Sequence, residues 1–252
     1  MPRILITGTS SGFGREIALH FLDQGWDVVA TMRNPAHADL PTSERLQILP
    51  LDVTDPDSIA GALKQAGPLD ALVNNAGVGM LNALEGVEMD RVRELFETNV
   101  LGTIAMTRAV MPAMRAKRSG VIVNVSSTVT VRPLPALSVY SASKAALNAF
   151  TESFAIEAAE FGVRARLVLP GAAPETAFGR NAMARMGMEI PDAYEPFVKA
   201  YFEKLMSAKE KTEARDVAQA VWRAVTDEAA PMKLPAGADA VQNFHEAGLS
   251  VG

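Results

Sequence analysis

The chain's 252 residues include 24 basic and 29 acidic side chains, for a net charge of −5, with 48% hydrophobic and 21% charged residues. That balance excludes a disordered chain, and no run of Lys or Arg is dense enough to neutralise a row of phosphates, so nucleic acid is not an expected partner. The absence of cysteine removes disulfides, thiolate nucleophiles and iron–sulfur or cysteine–zinc centres.

The length suits one α/β domain. The first apolar run, Ile4-Leu5-Ile6, passes directly into a glycine-rich turn and leaves no room for a signal peptide's apolar region. No uninterrupted apolar stretch approaches the roughly 20 residues that cross a bilayer, so a cytoplasmic protein with no membrane partner is expected. Further short apolar runs follow at Val28-Val29-Ala30, Leu46 to Leu51, Ala71-Leu72-Val73, Val121 to Val125, Ala165 to Leu169 and Met232 to Leu234, with helix-patterned segments between them. Such alternation predicts a doubly wound, Rossmann-like parallel sheet with helices on both faces, because parallel strands need crossover connections and are buried on both sides.

In chain order, the first strand leads into Thr7-Gly8-Thr9-Ser10-Ser11-Gly12-Phe13-Gly14 at the start of a helix. Glycines there let the backbone turn tightly and approach a pyrophosphate, whose charge the helix's free amides would meet. The spacing is not G-x-G-x-x-G, and Gly8 to Gly12 also satisfies G-x-S-x-G, the nucleophile elbow of serine hydrolases, with Asp227 or Asp239 and His245 following in the right order. An elbow serine, however, normally follows a central strand preceded by others, whereas Ser10 has one strand before it; cofactor binding is the preferred reading.

The second strand ends Ala30-Thr31-Met32-Arg33. A site for NAD usually carries an acid here to bind the ribose 2′-hydroxyl; neutral Met32 followed by Arg33 instead suits the 2′-phosphate of NADP, and Arg15 is a candidate second contact. Asp52-Val53 follows the third strand, where Asp52 is either a turn acid or a cofactor contact. Asp55-Pro56 reads as an N-cap and first helical residue, opening a helix to about Gln65. Asn74-Asn75-Ala76-Gly77 follows the fourth strand, and a long helical stretch from about Met89 to Lys117, ended by Ser119-Gly120, contains Asn99. Ser126 and Ser127 close the fifth strand, and Tyr140 and Lys144, four residues apart and so on one helical face, open a helix that Gly162 closes. A nearby ammonium favours phenolate, so Lys144 is expected to lower the proton affinity of Tyr140. Pro170-Gly171 follows the sixth strand. Residues 172–211 then break the rhythm with Pro174, Pro191, Pro196 and four methionines, as a substrate-lid insertion would, and a helix from Ala214 to Asp227 precedes the last strand.

The pattern T-G-x-x-x-G-x-G, the N-N-A-G sequence, Asn99, a serine thirteen residues before the tyrosine, Y-x-x-x-K and Pro170-Gly171 occur in an order that resembles the short-chain dehydrogenase/reductase family over nearly the whole chain. The resemblance implies an NADP(H)-dependent oxidoreductase interconverting carbonyl and alcohol. In it Tyr140 is general acid/base, Ser127 holds the reacting oxygen, Lys144 binds the nicotinamide ribose and Asn99 orders a relay water. Gly8, Ser10, Ser11, Gly12, Phe13, Gly14, Arg33, Asp52, Val53, Asn75, Ala76, Gly77, Pro170 and Gly171, with Tyr140 and Lys144, would surround the cofactor. Thr130 stands where relatives often have glycine, and Thr176 follows Pro170-Gly171 at more than the usual spacing. The family also implies a homodimer or homotetramer through its two long helices.

Leu134, Leu137, Val139, Phe178, Met183, Met186, Phe197, Tyr201 and Phe202 are the candidate substrate lining. Adaptable methionines and aromatics suit a hydrophobic ketone, aldehyde or secondary alcohol, although helices of a lid would bury an apolar face in any case. A non-catalytic NADP-binding regulator is the alternative on the same scaffold. His20, His37 and His245 form no metal-ligand spacing, and no metal is expected.

Overall fold

A computed structural model describes residues 1–173, 190–206 and 210–251. Seven parallel strands form one sheet in the order β3-β2-β1-β4-β5-β6-β7. They are β1 (Arg3–Thr7), β2 (Asp27–Met32), β3 (Leu46–Pro50), β4 (Ala71–Asn74), β5 (Gly120–Val125), β6 (Val163–Pro170) and β7 (Lys233–Ala236). The expected runs sit close to these strands: most are extended by a residue or more, while β3 stops at Pro50, one short of Leu51, and β7 starts at Lys233, one after Met232.

Alternation along the strands divides the core in two. Ile4 and Ile6 face one side with Val28, Val73 and Val123, and there they meet Ile17 and Phe21 of α1 (Gly12–Asp23) and Val217 and Val221 of α7 (Ala214–Thr226). Leu5, Val29, Leu72 and Ile122 face the other side, against Ile59 of α2 (Pro56–Ala66) and Met106 and Met114 of α4 (Gly102–Lys117). Helices therefore cover both faces, as the continuous apolar strands require. The caps are legible: Asp55 accepts from the Asp57 amide at 2.9 Å ahead of Pro56, and α7 opens with a reciprocal Glu213–Asp216 capping box.

The strand order reverses direction between β1 and β4, and the crevice beyond their carboxyl ends is where open α/β sheets bind ligands. Two departures from the sequence reading lie close to it. The stretch expected as a single helix over 89–117 is α3 (Met89–Phe96) and α4, joined by a π turn at Glu97–Leu101 that carries Asn99. It ends at Arg118, left-handed at φ 54°, one residue before the expected Ser119-Gly120 stop, because Gly120 is already the first residue of β5.

The long helix α5 (Ser138–Ala159) and two helices that the sequence reading did not bound, α6 (Glu195–Met206) and α8 (Ala238–Glu246), are the other α-helices among the described residues. Pro174, Thr176, Phe178, Met183, Met186 and Met188 lie outside the described residues, as do the side chains of Phe202 and Met206. No described helix is long and apolar enough to cross a membrane.

Candidate active site

The glycine turn and the Asn74–Gly77 segment leave adjacent strands and are bolted together. Asn75 donates from Nδ2 to the carbonyls of Thr7 (3.0 Å) and Gly8 (3.1 Å), while Thr7 Oγ1 accepts from the amides of Asn75 (3.0 Å) and Ala76 (2.9 Å). Gly8 is left-handed, at φ 73°, and a Cβ on it would lie 2.8 Å from Cα of Ala76. A Cβ on Gly14 would overlap the Gly8 carbonyl oxygen and come 2.5 Å from Asn75 Nδ2. Thr9, buried, ties the turn to β2 through the Thr31 carbonyl (3.1 Å). Phe13 packs on the sheet core, so Ser10 and Ser11 form the exposed crest. Ser11 caps α1 without a side-chain bond, leaving first-turn amides for an anion. This bare cradle fits a dinucleotide pyrophosphate.

At the edge of the crevice Met32 is buried and Arg33 exposed. Arg15 is engaged elsewhere: its Nε donates to the Asp39 carbonyl (2.7 Å) and pairs with the Asp39 carboxylate (3.1 Å). Asp52 forms a turn, accepting at Oδ1 from the amide (2.9 Å) and hydroxyl (2.7 Å) of Thr54. Those two bonds, with Arg33's charge adding to them against partial burial, hold its carboxyl below the ordinary range. Val53 is buried under Gly102 of α4.

The candidate catalytic groups gather where β5 ends beside α5. Ser127, Tyr140 and Lys144 are all buried, and the Ser127 hydroxyl is hydrogen-bonded to the Tyr140 phenol. The expectation that Lys144 lowers the phenol's proton affinity is corrected here. Burial pushes Tyr140 up and outweighs the Ser127 hydrogen bond, which pulls it down. Burial also lowers Lys144 to about 8. Both shifts have one cause, the cost of a charge away from water. The ammonium nitrogen stands 5.9 Å from the Tyr140 ring centroid and donates to the Val125 carbonyl at 2.9 Å.

Ser126 turns away, donating to Asn148 Oδ1 at 2.6 Å, so of the two serines it is Ser127 that meets the tyrosine. Asn99 Oδ1 accepts from the Val78 amide (2.8 Å), and its Nδ2 donates to the Val78 carbonyl (2.9 Å) and Ser143 Oγ (3.2 Å). It thereby joins the strand-end segment to α5. Gly77 lies between, the Cβ it lacks falling 3.2 Å from Asn99 Oδ1 and 3.7 Å from Lys144 Nζ.

Past Pro170, a latch that sequence reasoning missed holds the chain. Thr212 Oγ1 accepts from the Gly171 amide (2.9 Å) and lies 2.7 Å from Asp239 Oδ1; Asp239 Oδ2 accepts from the Ala172 amide (2.6 Å), and the Thr212 amide donates to the Ala172 carbonyl (2.9 Å). A Cβ on Gly171 would overlap the Asp239 carboxylate. The two ends of the 172–211 insertion therefore meet at one place. Asp239 is spent here, and Asp227 accepts from the Ala229 amide (2.9 Å). Among the described residues neither holds His245, and the elbow reading of Ser10 lacks its oriented base. No group of acids and histidines among the described residues could hold a metal.

Around Tyr140 the wall is apolar: Met80, Leu95 and Val129 pack with it, and Val78, Leu134, Leu137 and Val139 pack against that cluster. Of the other candidate lining residues, Phe197 is 55% exposed and Tyr201 half-buried.

The family model described as short chain dehydrogenase matches residues 2–186. Retinol dehydrogenase 8 of Homo sapiens is 34% identical over 251 residues, covering 92% of this chain and 80% of its own length. A solved short-chain dehydrogenase from Streptomyces avermitilis aligns with a TM-score of 0.84 at 35% identity, over 97% of this chain and 91% of that one. A short chain dehydrogenase from Burkholderia cenocepacia J2315, solved in complex with NADP, aligns with a TM-score of 0.80 at 27% identity, over 98% and 92%. A Rossmann-like parallel sheet, a glycine cradle at its reversal point and a buried serine–tyrosine–lysine cluster thus coincide with matches along the chain, which belongs to the short-chain dehydrogenase/reductase family of oxidoreductases.

Proposed function

We propose that the chain reduces a hydrophobic ketone or aldehyde to its alcohol, or runs the reverse reaction, with NADP(H) as cofactor and Tyr140 as the proton-transferring group. The observation that carries this reading is the Ser127–Tyr140 hydrogen bond beside buried Lys144 in the sheet's crevice. NADP(H) held in that crevice would supply the hydride donor or acceptor for the carbonyl carbon. Tyr140 delivers a proton to the carbonyl oxygen in reduction and removes one from the alcohol in oxidation. Ser127 holds the same oxygen by a hydrogen bond that strengthens as charge develops on it. Lys144 would hold the nicotinamide ribose. Asn99 keeps the Val78 backbone in place and belongs to the relay that returns protons to Lys144.

Gly8, Ser10, Ser11, Gly12, Phe13 and Gly14 would hold the pyrophosphate, Arg33 the 2′-phosphate, Asp52 and Val53 the adenine, and Asn75, Ala76, Gly77, Pro170 and Gly171 the remainder. NADP is favoured because buried Met32 offers no acid and exposed Arg33 offers a cation. Neither Asp52, whose Oδ1 is committed to Thr54, nor Arg15, paired with Asp39, competes with Arg33 for that role. The apolar wall supports a hydrophobic substrate, in keeping with the retinol named for one relative. An open apolar groove of about 310 Å³ between α4 and α5, lined by Met111, Pro112, Phe150 and Phe154 among others, supports assembly with a second copy, as the family implies. The cytoplasm is the compartment proposed.

NADPH consumption with retinal, estrone and acetophenone tests the reading. Tyr140→Phe is expected to lower kcat by about 10²–10⁴-fold while retaining NADPH binding; a rate near wild type refutes the mechanism. Arg33→Ala is expected to weaken NADPH about tenfold and leave NADH unchanged, the worth of one charge-assisted contact. NADPH binding without turnover of any carbonyl would favour the regulatory alternative.

A further inference from the structure

Four consecutive residues at the end of β5 are each gripped by α5. Asn124 Nδ2 donates to Thr151 Oγ1 (2.8 Å), the Val125 carbonyl accepts from Lys144 Nζ (2.9 Å), Ser126 Oγ donates to Asn148 Oδ1 (2.6 Å), and Ser127 meets Tyr140. Tyr140, Lys144 and Asn148 are spaced one helical turn apart, so this face of α5 presents them as a column to the strand end. Asn148 does more than receive Ser126. Its Nδ2 donates to Thr130 Oγ1 (2.9 Å), and Thr130 Oγ1 donates to the Ser127 carbonyl (2.8 Å).

The bonds run in one direction, from the Ser126 hydroxyl through the Asn148 amide and the Thr130 hydroxyl to the Ser127 carbonyl. They start and finish on adjacent residues and close a ring through the helix. Ser126 and Asn148 are buried, so each polar atom in the ring that lost its partner would be left facing apolar surroundings. Thr130 supplies the hydroxyl that closes the ring. A glycine could not complete the ring.

We infer that Asn148 and Thr130 are positioning residues of the catalytic centre, holding the turn that carries Ser127 at the distance and angle at which its hydroxyl meets Tyr140. This rests on the proposed roles of Ser127 and Tyr140. Neither Asn148 nor Thr130 need touch substrate or cofactor. Their effect passes through Ser127, whose side chain also accepts from the Val129 amide at 3.3 Å. A loosened Ser127 holds the reacting oxygen less well and also withdraws its hydrogen bond from the phenolate form of Tyr140.

Thr130→Val keeps the volume and removes the hydroxyl, which makes it the informative variant. Using the fastest carbonyl among retinal, estrone and acetophenone, kcat is expected to fall about tenfold, with the NADPH dissociation constant unchanged and KM within about twofold. In alcohol oxidation the rise of rate with pH is expected to move to higher pH, and Thr130→Ser is expected to restore both rate and profile. An unchanged kcat, or a fall in melting temperature with the pH profile unmoved and no rescue by serine, overturns the inference. Tyr140→Phe in the same assay separates the two failures. If it is inactive while Thr130→Val is normal, only the positioning role is lost; if it is active, the underlying function is wrong.

Discussion

Replacing Gly14 by alanine tests whether the cradle is built by close backbone approach. The added methyl would overlap the Gly8 carbonyl oxygen and come 2.5 Å from Asn75 Nδ2, and neither is the free end of a flexible side chain. Gly8 belongs to a turn fixed by Thr7 and Thr9, and Asn75 Nδ2 bonds two carbonyls at once. Overpacking a rigid site costs about 1–3 kcal/mol, and weakening two hydrogen bonds adds about 1 kcal/mol each, so a destabilisation of about 3–5 kcal/mol is expected. For a chain of this size that lowers the melting temperature by about 6–20 °C.

Gly61 provides the control, because it is exposed in α2 and has nothing within 4 Å of its missing Cβ. Gly61→Ala is expected to stabilise by about 0.5–1 kcal/mol through helix propensity alone. Differential scanning calorimetry gives both values, and NADPH fluorescence titration is expected to show loss of binding for Gly14→Ala only. If Gly14→Ala melts within about 2 °C of wild type and binds NADPH normally, the close-approach argument is wrong.

Lys144 predicts a pH-dependent stability difference. Its folded value is depressed from 10.5 to about 8, so the cost of burying the ammonium is in full force below 8 and is relieved as pH rises to 10.5. Relative to Lys144→Met, the wild-type chain is therefore expected to gain up to about 3 kcal/mol across that window, read from urea denaturation at pH 7.0 and at about pH 10; a constant difference contradicts it. Thr212→Val cuts the latch between Gly171 and Asp239 without changing volume. It is expected to cost about 2 kcal/mol, and thermal unfolding within about 1 °C of wild type would show that the latch carries no strain-bearing role.

The strands were legible because parallel strands buried on both faces leave unbroken apolar runs, and Asp55-Pro56 announced α2 because the cap and the proline are adjacent in sequence. That Ser127, Tyr140 and Lys144 would lie together was legible from the family resemblance, which sets their spacing within a short stretch. Asn148 and Thr130 escaped although the column 140, 144, 148 was there to be read, since an asparagine on a helix face has no meaning until the strand end facing it is known. Thr212 and Asp239 escaped for a related reason: they meet Gly171 from 41 and 68 positions away in the chain. The expected direction of the Tyr140 shift failed because sequence names the neighbouring cation but says nothing of water, and exclusion of water dominates here. Asp52 is seen in its turn-acid role, accepting from Thr54 at Oδ1, while its contact with the adenine is a proposal.

The π turn at Glu97–Leu101 has a consequence for how this chain tolerates length changes. One surplus residue in that turn rotates everything after it by about 100° relative to an unbroken helix. Within that turn the backbone aims Asn99 at Val78; downstream it aims Met106 and Met114 into the sheet. Removal of a single residue there would misdirect either the amide clasp or the sulfur-bearing side chains beneath the sheet, so the reaction centre and the hydrophobic interior share one phase setting on one helix.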